Sequence, residues 1–499
     1  MRKGLPSESS FSEHRSIHDV LQEIRDVYQR YPQPWVLGYS GGKDSTAVLQ
    51  LVWRALEVLP EDQRQKPVYV ISSDTLVEAP LLVDHIDRNI ALIERAARDA
   101  RMPFVPAKVK PVLNDTFWVN LIGRGYPAPS SKFRWCTERL KINPADRFVE
   151  EKVAEHTEVI MILGVRKTES ATRMQLLNSY MVNDHVLRRH SSLHGAYLYS
   201  PIVDFSTDDV WSYLLQNASP WGADNRQLSA MYRNATSAGE CPLVVDDSTP
   251  SCGQSRFGCW VCTVVERDRS MDALIENGDG DNDWLQHLAD FRTFLRETTD
   301  PARKHIYRDF RGRNGRVIYL KDGTLGARTY RLDTSREMLR RLLEIQENIR
   351  REGPPEPITL VSDEELHEIR RLWRTERQDW EDSVPTIVRD VTGRDLAWPT
   401  NDDGHFDADH RALLESLCDE HGVPFDLMAR LLEVERRSSG VTRRAGVVKE
   451  LGEVLEREWR AEEELLAVSR ARAEGALYPV AAAAIEEEAA RRDTQKARA

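Results

Sequence analysis

Between residues 35 and 53 the chain reads as a strand, a tight loop and a helix. The run Trp35-Val36-Leu37-Gly38-Tyr39 is short and apolar, the pattern of a buried strand. Thr46 to Trp53 reads as a helix. The link is Ser40-Gly41-Gly42-Lys43-Asp44-Ser45. Two glycines let a backbone turn sharply and bring its N–H groups close to an anion. The start of the next helix adds a partial positive charge. Ser40 and Ser45 offer hydroxyls and Lys43 a point charge, so the loop is built for phosphate.

The same alternation continues. A helix is expected from Ser16 to about Arg30, with Asp19 as capping-box partner. Strands follow at 68–75, 104–109, 159–163 and 198–203, with helices near 80–101 and 208–215, the last capped by Thr207. Strands alternating with helices imply an α/β fold with a doubly wound parallel sheet. Ligands in such sheets lie beyond the carboxyl ends of the strands. Asp74, at one such end, either faces a nucleotide or caps the next helix. Lys132 to Pro144 carries Arg134, Arg139 and Lys141 around Cys136. Gly164-Val165-Arg166-Lys167-Thr168-Glu169-Ser170, with Arg173 beyond, closes another strand. Arg134, Lys141, Arg166 and Arg173 are therefore candidate anion holders, arginine being the better fork for phosphate.

Ser-Gly-Gly-Lys-Asp-Ser lacks the spacing of a Walker loop. It resembles the PP-loop of the ATP pyrophosphatase (adenine nucleotide α hydrolase-like) superfamily. The later motifs, in the same order, resemble its phosphoadenosine phosphosulfate (PAPS) reductase branch over roughly residues 30–220. That resemblance implies binding of ATP with Mg2+ and cleavage between the α and β phosphates. Carried onto this sequence, it makes Ser40, Gly41, Gly42, Lys43, Asp44, Ser45, Asp74, Arg134, Lys141, Gly164, Arg166 and Arg173 nucleotide-binding residues. Lys43, Asp44, Cys136 and Arg166 become the catalytic candidates.

Cys241, Cys252, Cys259 and Cys262 are spaced Cys-x10-Cys-x6-Cys-x2-Cys. Four clustered thiols among six cysteines make no disulfide scaffold and point to zinc or an iron–sulfur cluster. Only one Cys-x2-Cys pair is present, which favours a 4Fe-4S cluster over zinc. Cys136, among cations that favour its thiolate, reads as a sulfur carrier, a contact of the cluster, or a packed thiol. Cys418 lies in a helical apolar pattern and reads as core.

The formal net charge of −12 excludes nucleic-acid binding by bulk positive charge, though not by a local groove. Arg303, Lys304, Arg308, Arg311, Arg313 and Arg316, with Tyr307 and Phe310, form a local inversion. It fits either a nucleic-acid backbone or a solvated face. No apolar run has the length of a membrane span and no signal peptide is evident, so a cytoplasmic protein is expected.

The expected organisation is a disordered 1–14, a PP-loop domain over 15–235 and a cysteine segment over 236–270. A mixed region over 271–400 follows, with a hairpin at 316–323 and helices near 283–300, 335–351 and 362–380, the last opening on a Ser362–Glu365 capping box. A helical region over 401–480, with 408–465 reading as helical, and a flexible tail over 481–499 complete it. At 499 residues, the chain is about twice the length of PAPS reductases. It has no cysteine after Cys418 and adds the four-cysteine segment and a helical end containing Leu431 to Arg437 and Thr442 to Gly446. This combination resembles the DndC family of DNA phosphorothioation sulfurtransferases. The resemblance implies a 4Fe-4S cluster, DNA as acceptor, a cysteine desulfurase as sulfur donor, and other subunits of the modification complex. A PAPS reductase-like enzyme, a tRNA thiolase and a non-catalytic ATP-binding assembly subunit are the rival readings.

Overall fold

The structure, a computed structural model, describes residues 15–167, 186–233, 258–276, 280–398, 406–440 and 444–474. The expectations for 1–14, for Thr168, Glu169, Ser170 and Arg173, for Cys241 and Cys252, and for 481–499 lie outside the described residues. The chain divides into two compact units. One comprises Met1–Phe117, Pro129–Leu295 and Asn348–Leu360, the other Trp118–Ala128, Arg296–Glu347 and Val361–Ala499.

The first unit opens with α1 (Ile17–Arg30). Its capping box is complete: the Asp19 N–H donates to Ser16 Oγ at 3.2 Å, and the Ser16 N–H donates to Asp19 Oδ2 at 2.9 Å. Then come β1 (Trp35–Gly38), α2 (Lys43–Glu57), β2 (Val68–Ser73), α3 (Pro80–Asp99) and β3 (Phe104–Val109). The strands β4 (Val159–Ile162), β5 (Arg188–Arg189) and β6 (Ala196–Tyr199) complete a six-stranded sheet ordered β3-β2-β1-β4-β6-β5. Every pairing is parallel except that of β5 with β6. The doubly wound expectation holds with this one antiparallel edge.

β1 lies between β2 and β4, where the strand order reverses. That reversal opens a crevice beyond the carboxyl ends of β1 and β4. Side chains alternate across the central strands. Trp35 and Leu37 pack with α1 and α2, whereas Val36, Met161 and Leu163 pack with Ala145 and Val149 on the other face. Most of α2 is buried, including its polar first turn, as befits a helix enclosed by its domain. Trp53, near its end, stacks on Phe104 with ring centroids 4.7 Å apart.

Several boundaries differ from expectation. α2 starts at Lys43, not Thr46, so Lys43, Asp44 and Ser45 form its first turn behind Gly42 as N-cap. The strand expected at 198–203 is Ala196–Tyr199. The helix Thr207–Gln216 is capped by Ser206, whose box with Asp209 is reciprocal. Two adjacent hydroxyls competed for the cap, and the one with an acid three residues on won.

The second unit is mainly helical. Leu332–Glu352, which runs on into the first unit's Asn348–Leu360, is followed by Asp363–Glu376 with its Ser362–Glu365 box, and by Ser383–Thr392. The helical region expected over 408–465 comprises Ala408–His421, Phe425–Arg437, Ala445–Leu455 and the start of Glu462–Ala473. Gly422 at φ +64° ends the first of these in a left-handed cap that periodicity alone does not register. The hairpin at 316–323 is reduced to isolated bridges, Arg311 with Val317 and Tyr319 with Leu325. Among the described residues, no helix is long and apolar enough to cross a membrane.

Candidate functional site

Asp44 organises the loop. Lys43 Nζ donates to its Oδ2 at 2.7 Å, and Arg166 Nε donates to its Oδ1 at 2.8 Å. All three side chains are buried. Arg166 follows β4 and also donates to Thr207 Oγ1 at 3.2 Å, the hydroxyl left available because Ser206 takes the cap. A carboxylate pinned between two cations fixes both cationic groups at the crevice. Ser40 and Ser45 meet hydroxyl to hydroxyl at 3.2 Å, and Ser45 Oγ also donates to the Gly42 carbonyl at 3.0 Å.

Glycine is required at three of these positions for different reasons. Gly41 has φ +70°, and a Cβ there would lie 2.8 Å from Ile86. A Cβ on Gly42 would lie 2.8 Å from the Tyr232 hydroxyl, which accepts the Lys43 N–H at 3.3 Å. A Cβ on Gly164 would meet the backbone of Asp44 and Ser45 at 3.0–3.1 Å, so β4 packs directly on the loop.

At the end of β2, Asp74 Oδ1 accepts the Leu76 N–H at 3.0 Å, and Lys108 and Lys110 each lie 3.4 Å from Oδ2. The helix-cap alternative for Asp74 is overturned, because α3 has Ala79 as its N-cap. Beside it, the buried Ser72 and Ser73 hydroxyls have no hydrogen-bond partner. Arg134 likewise has Nε and Nη1 buried and unpartnered. Orphaned hydroxyls at the carboxyl end of β2 fit an oxygen-rich anion such as a nucleotide triphosphate, and Arg134, which stands ahead of the short helix Trp135–Thr137, is a further buried donor set without a protein partner. His85 approaches the loop at Gly41, and burial holds its pKa down, favouring the neutral ring.

Arg139 pairs with Asp115, so its charge is not reserved for Cys136. Cys136 and Lys141 instead line an apolar cavity of about 50 Å³ together with Cys259 and Cys262. The cysteine pair is anchored to the end of the sheet. Cys259 forms a bridge with Glu78, the Trp260 N–H donates to the Val77 carbonyl at 3.1 Å, and Cys259 Sγ lies 3.4 Å from Thr75 Oγ1. Arg292 braces the far side through the carbonyls of Cys262 at 2.8 Å and Val265 at 2.6 Å. Burial pushes the Cys259 thiol up to about 12, so without a metal it stays protonated. Thiols gathered in an apolar space have the donor chemistry of a soft-metal site. Among the described residues no three His, Cys, Asp or Glu form a metal-binding group, and Cys241 and Cys252 lie outside them. Cys418 is buried in its helix, as expected.

Tyr232, Lys108, Lys110 and Arg292 were not singled out from sequence, and Thr207 was read there only as a helix cap. Lys108 and Lys110 sit at the end of a predicted strand and could have been noticed there. Tyr232 carries no local signal, and the contact of Thr207 with Arg166 carries none either, because both roles depend on partners far away in the chain.

Residues 34–264 match the family described as the phosphoadenosine phosphosulfate reductase domain. This segment is a PAPS reductase-like domain of the PP-loop type. Residues 409–456 match a family described as a small protein found in certain Dnd DNA modification systems. An uncharacterized protein of Methanocaldococcus jannaschii is 25% identical over 243 residues, which are 49% of this chain and only 39% of that protein's length. A solved phosphoadenylyl-sulfate (PAPS) reductase from Candida auris, in a phosphate complex, is 16% identical. It covers 47% of this chain and 97% of its own at a TM-score of 0.28, a likeness too slight to argue from.

Proposed function

We propose that this chain is a DndC-type sulfurtransferase. It uses ATP to activate a backbone phosphate of DNA and assists replacement of a non-bridging oxygen by sulfur. The observation that carries the reading is the buried Lys43–Asp44–Arg166 cluster at the reversal point of a PAPS reductase-like sheet, with orphaned Arg134, Ser72 and Ser73 donors. The Dnd-associated segment at residues 409–456 supports DNA as the acceptor and other Dnd proteins as partners.

In this mechanism the loop N–H groups and Lys43 hold the β and γ phosphates of ATP. A DNA phosphate oxygen attacks the α phosphorus, a P–O bond forms, and the α–β bond breaks to release pyrophosphate. Arg166 and Arg134 stabilise the charge that develops on the α phosphoryl group. The terminal sulfur of a persulfide on Cys136, loaded by a cysteine desulfurase, then attacks the activated DNA phosphorus. AMP leaves with the displaced oxygen, and an external dithiol supplies two electrons to cut the remaining S–S bond. Mg2+ would neutralise phosphate charge during the first step. The cysteine set Cys241, Cys252, Cys259 and Cys262 would hold a 4Fe-4S cluster, which would supply electron or sulfur chemistry near Cys136.

Pyrophosphate release from ATP tests the first step. Lys43→Gln keeps the Asp44–Arg166 pair yet removes the phosphate-facing charge, and it should reduce release at least ~10-fold, as expected for loss of one preorganised charge. Release at the unaltered rate would refute the assignment of the loop.

A further inference from the structure

The second unit contains a cavity of about 580 Å³, within the range of roughly 300–1,000 Å³ typical of ligand sites. Nine arginines line it against five carboxylates, in a chain whose net charge is −12. No lysine lines it. Arginine is the side chain that matches phosphate with a planar fork.

Ion pairing accounts for only part of this set. Arg313 pairs with Glu376 at 3.1 Å and Arg437 with Glu450 at 2.6 Å. Arg377 is committed to the Ile122 and Tyr330 carbonyls and to Ser335 Oγ. Arg430 and Arg457 are different. Arg430 donates only to the carbonyls of Thr375 and Glu376, at 3.3 Å each. The Arg457 guanidinium makes no hydrogen bond or ion pair with any described residue. Its stem lies on Gly315, where φ is +72° and a Cβ would come within 2.5–2.8 Å of it. That glycine is therefore needed to let the arginine lie where it does. Arg430 has Arg437 and Arg457 as neighbours, and burial together with those two cations pulls its pKa down. Cations held this close are stabilised by an anion that joins them.

The basic run seen in the sequence does not act as one stripe. Arg303 pairs with Glu297, and Arg308 is buried over the Tyr330 ring. Only Arg311 and Arg313 of that run reach the cavity wall. Arg430 and Arg437 come from the segment that matches the Dnd-associated family.

We propose that this arginine-lined cavity holds the phosphates of a single DNA strand, with Arg430 and Arg457 as the contacting cations. A nucleotide-sized cavity admits a strand and excludes a duplex. The proposal rests on DNA being the acceptor, but it concerns binding and not ATP cleavage. The free source of the same chemistry is inorganic phosphate or pyrophosphate.

The test is fluorescence anisotropy of the full-length chain with a labelled single-stranded DNA oligonucleotide across a salt series. Each phosphate contact contributes about 0.7 to the slope of log affinity against log salt. Arg457→Gln and Arg430→Ala should each weaken binding and lower that slope by about 0.7. Arg303→Ala, outside the cavity, should change neither. Arg457→Gln removes no internal bond, so it reads binding without a folding defect, and thermal melting checks Arg430→Ala. Unchanged affinity and slope in Arg457→Gln and in a folded Arg430→Ala would overturn the proposal. So would pyrophosphate or phosphate binding that is lost in these variants while DNA binding persists. Lys43→Gln should keep strand binding while losing pyrophosphate release. If Lys43→Gln releases pyrophosphate normally, the loop reading fails and the cavity is still judged by the salt slope.

Discussion

Asp44 receives hydrogen bonds from both Lys43 and Arg166 in a buried setting, so its carboxylate is structural as well as chemical. Removing one partner from a buried charge network leaves uncompensated charge, at about 3–5 kcal/mol. Asp44→Ala should therefore lose about that much stability in a denaturant melt, and Lys43→Gln much less, since Arg166 still faces Asp44. Equal stability losses would show that Arg166 does not share the carboxylate. Gly164→Ala tests the contact of β4 with the loop. Its new Cβ would press on the Asp44 backbone at 3.0 Å, and nucleotide-dependent kcat/KM should fall by roughly 10- to 100-fold, the scale of a small misplacement. Wild-type kcat/KM in Gly164→Ala would mean that the loop tolerates the shift. The Lys43–Asp44 pair was legible as neighbours in sequence. The pairing of Asp44 with Arg166 was not, because 122 positions separate them and only the parallel pairing of β1 with β4 brings them together.

The elements of the sheet were legible because each buried strand is a short, continuous apolar run bounded by polar residues. Boundaries that depend on one hydroxyl or one glycine were not. Ser206 replaced Thr207 as a cap, and the end of Ala408–His421 is set by Gly422 in a left-handed cap within the helical region. The expected turn at Lys321-Asp322-Gly323 is present, with the Gly326 N–H donating to the Ile318 carbonyl at 2.8 Å and the Leu320 N–H to the Thr324 carbonyl at 2.7 Å, but its flanks form an isolated antiparallel bridge and not extended strands. α2 carries the first unit's packing, and Leu49 within it is fully buried. Leu49→Ala should cost about 2–5 kcal/mol by loss of contacts and a residual cavity. Ser362→Ala should cost only about 0.5–2 kcal/mol, through loss of the N-cap. Calorimetric melts that rank these two the other way round would contradict the packing described for α2.

At the scale of the whole chain, two chemistries meet the PP-loop: a cysteine set and an acceptor. Cys259 and Cys262 share a cavity with Cys136, which lies far upstream; a contact with the cysteine set was one of the readings its sequence surroundings left open. Cys259→Ser should remove the brown visible absorbance of an anaerobically purified preparation, with a matching fall in iron content. A colourless wild-type protein carrying stoichiometric zinc would refute the cluster. The acceptor is tested most directly in the DNA itself. DNA from cells carrying this chain and the rest of its modification system is digested and analysed by mass spectrometry for phosphorothioate dinucleotides. They should be present with the intact chain and absent when Lys43→Gln replaces it. Equal levels with both chains, or sulfur found in tRNA nucleosides and not in DNA, would contradict an ATP-driven sulfur transfer to the DNA backbone.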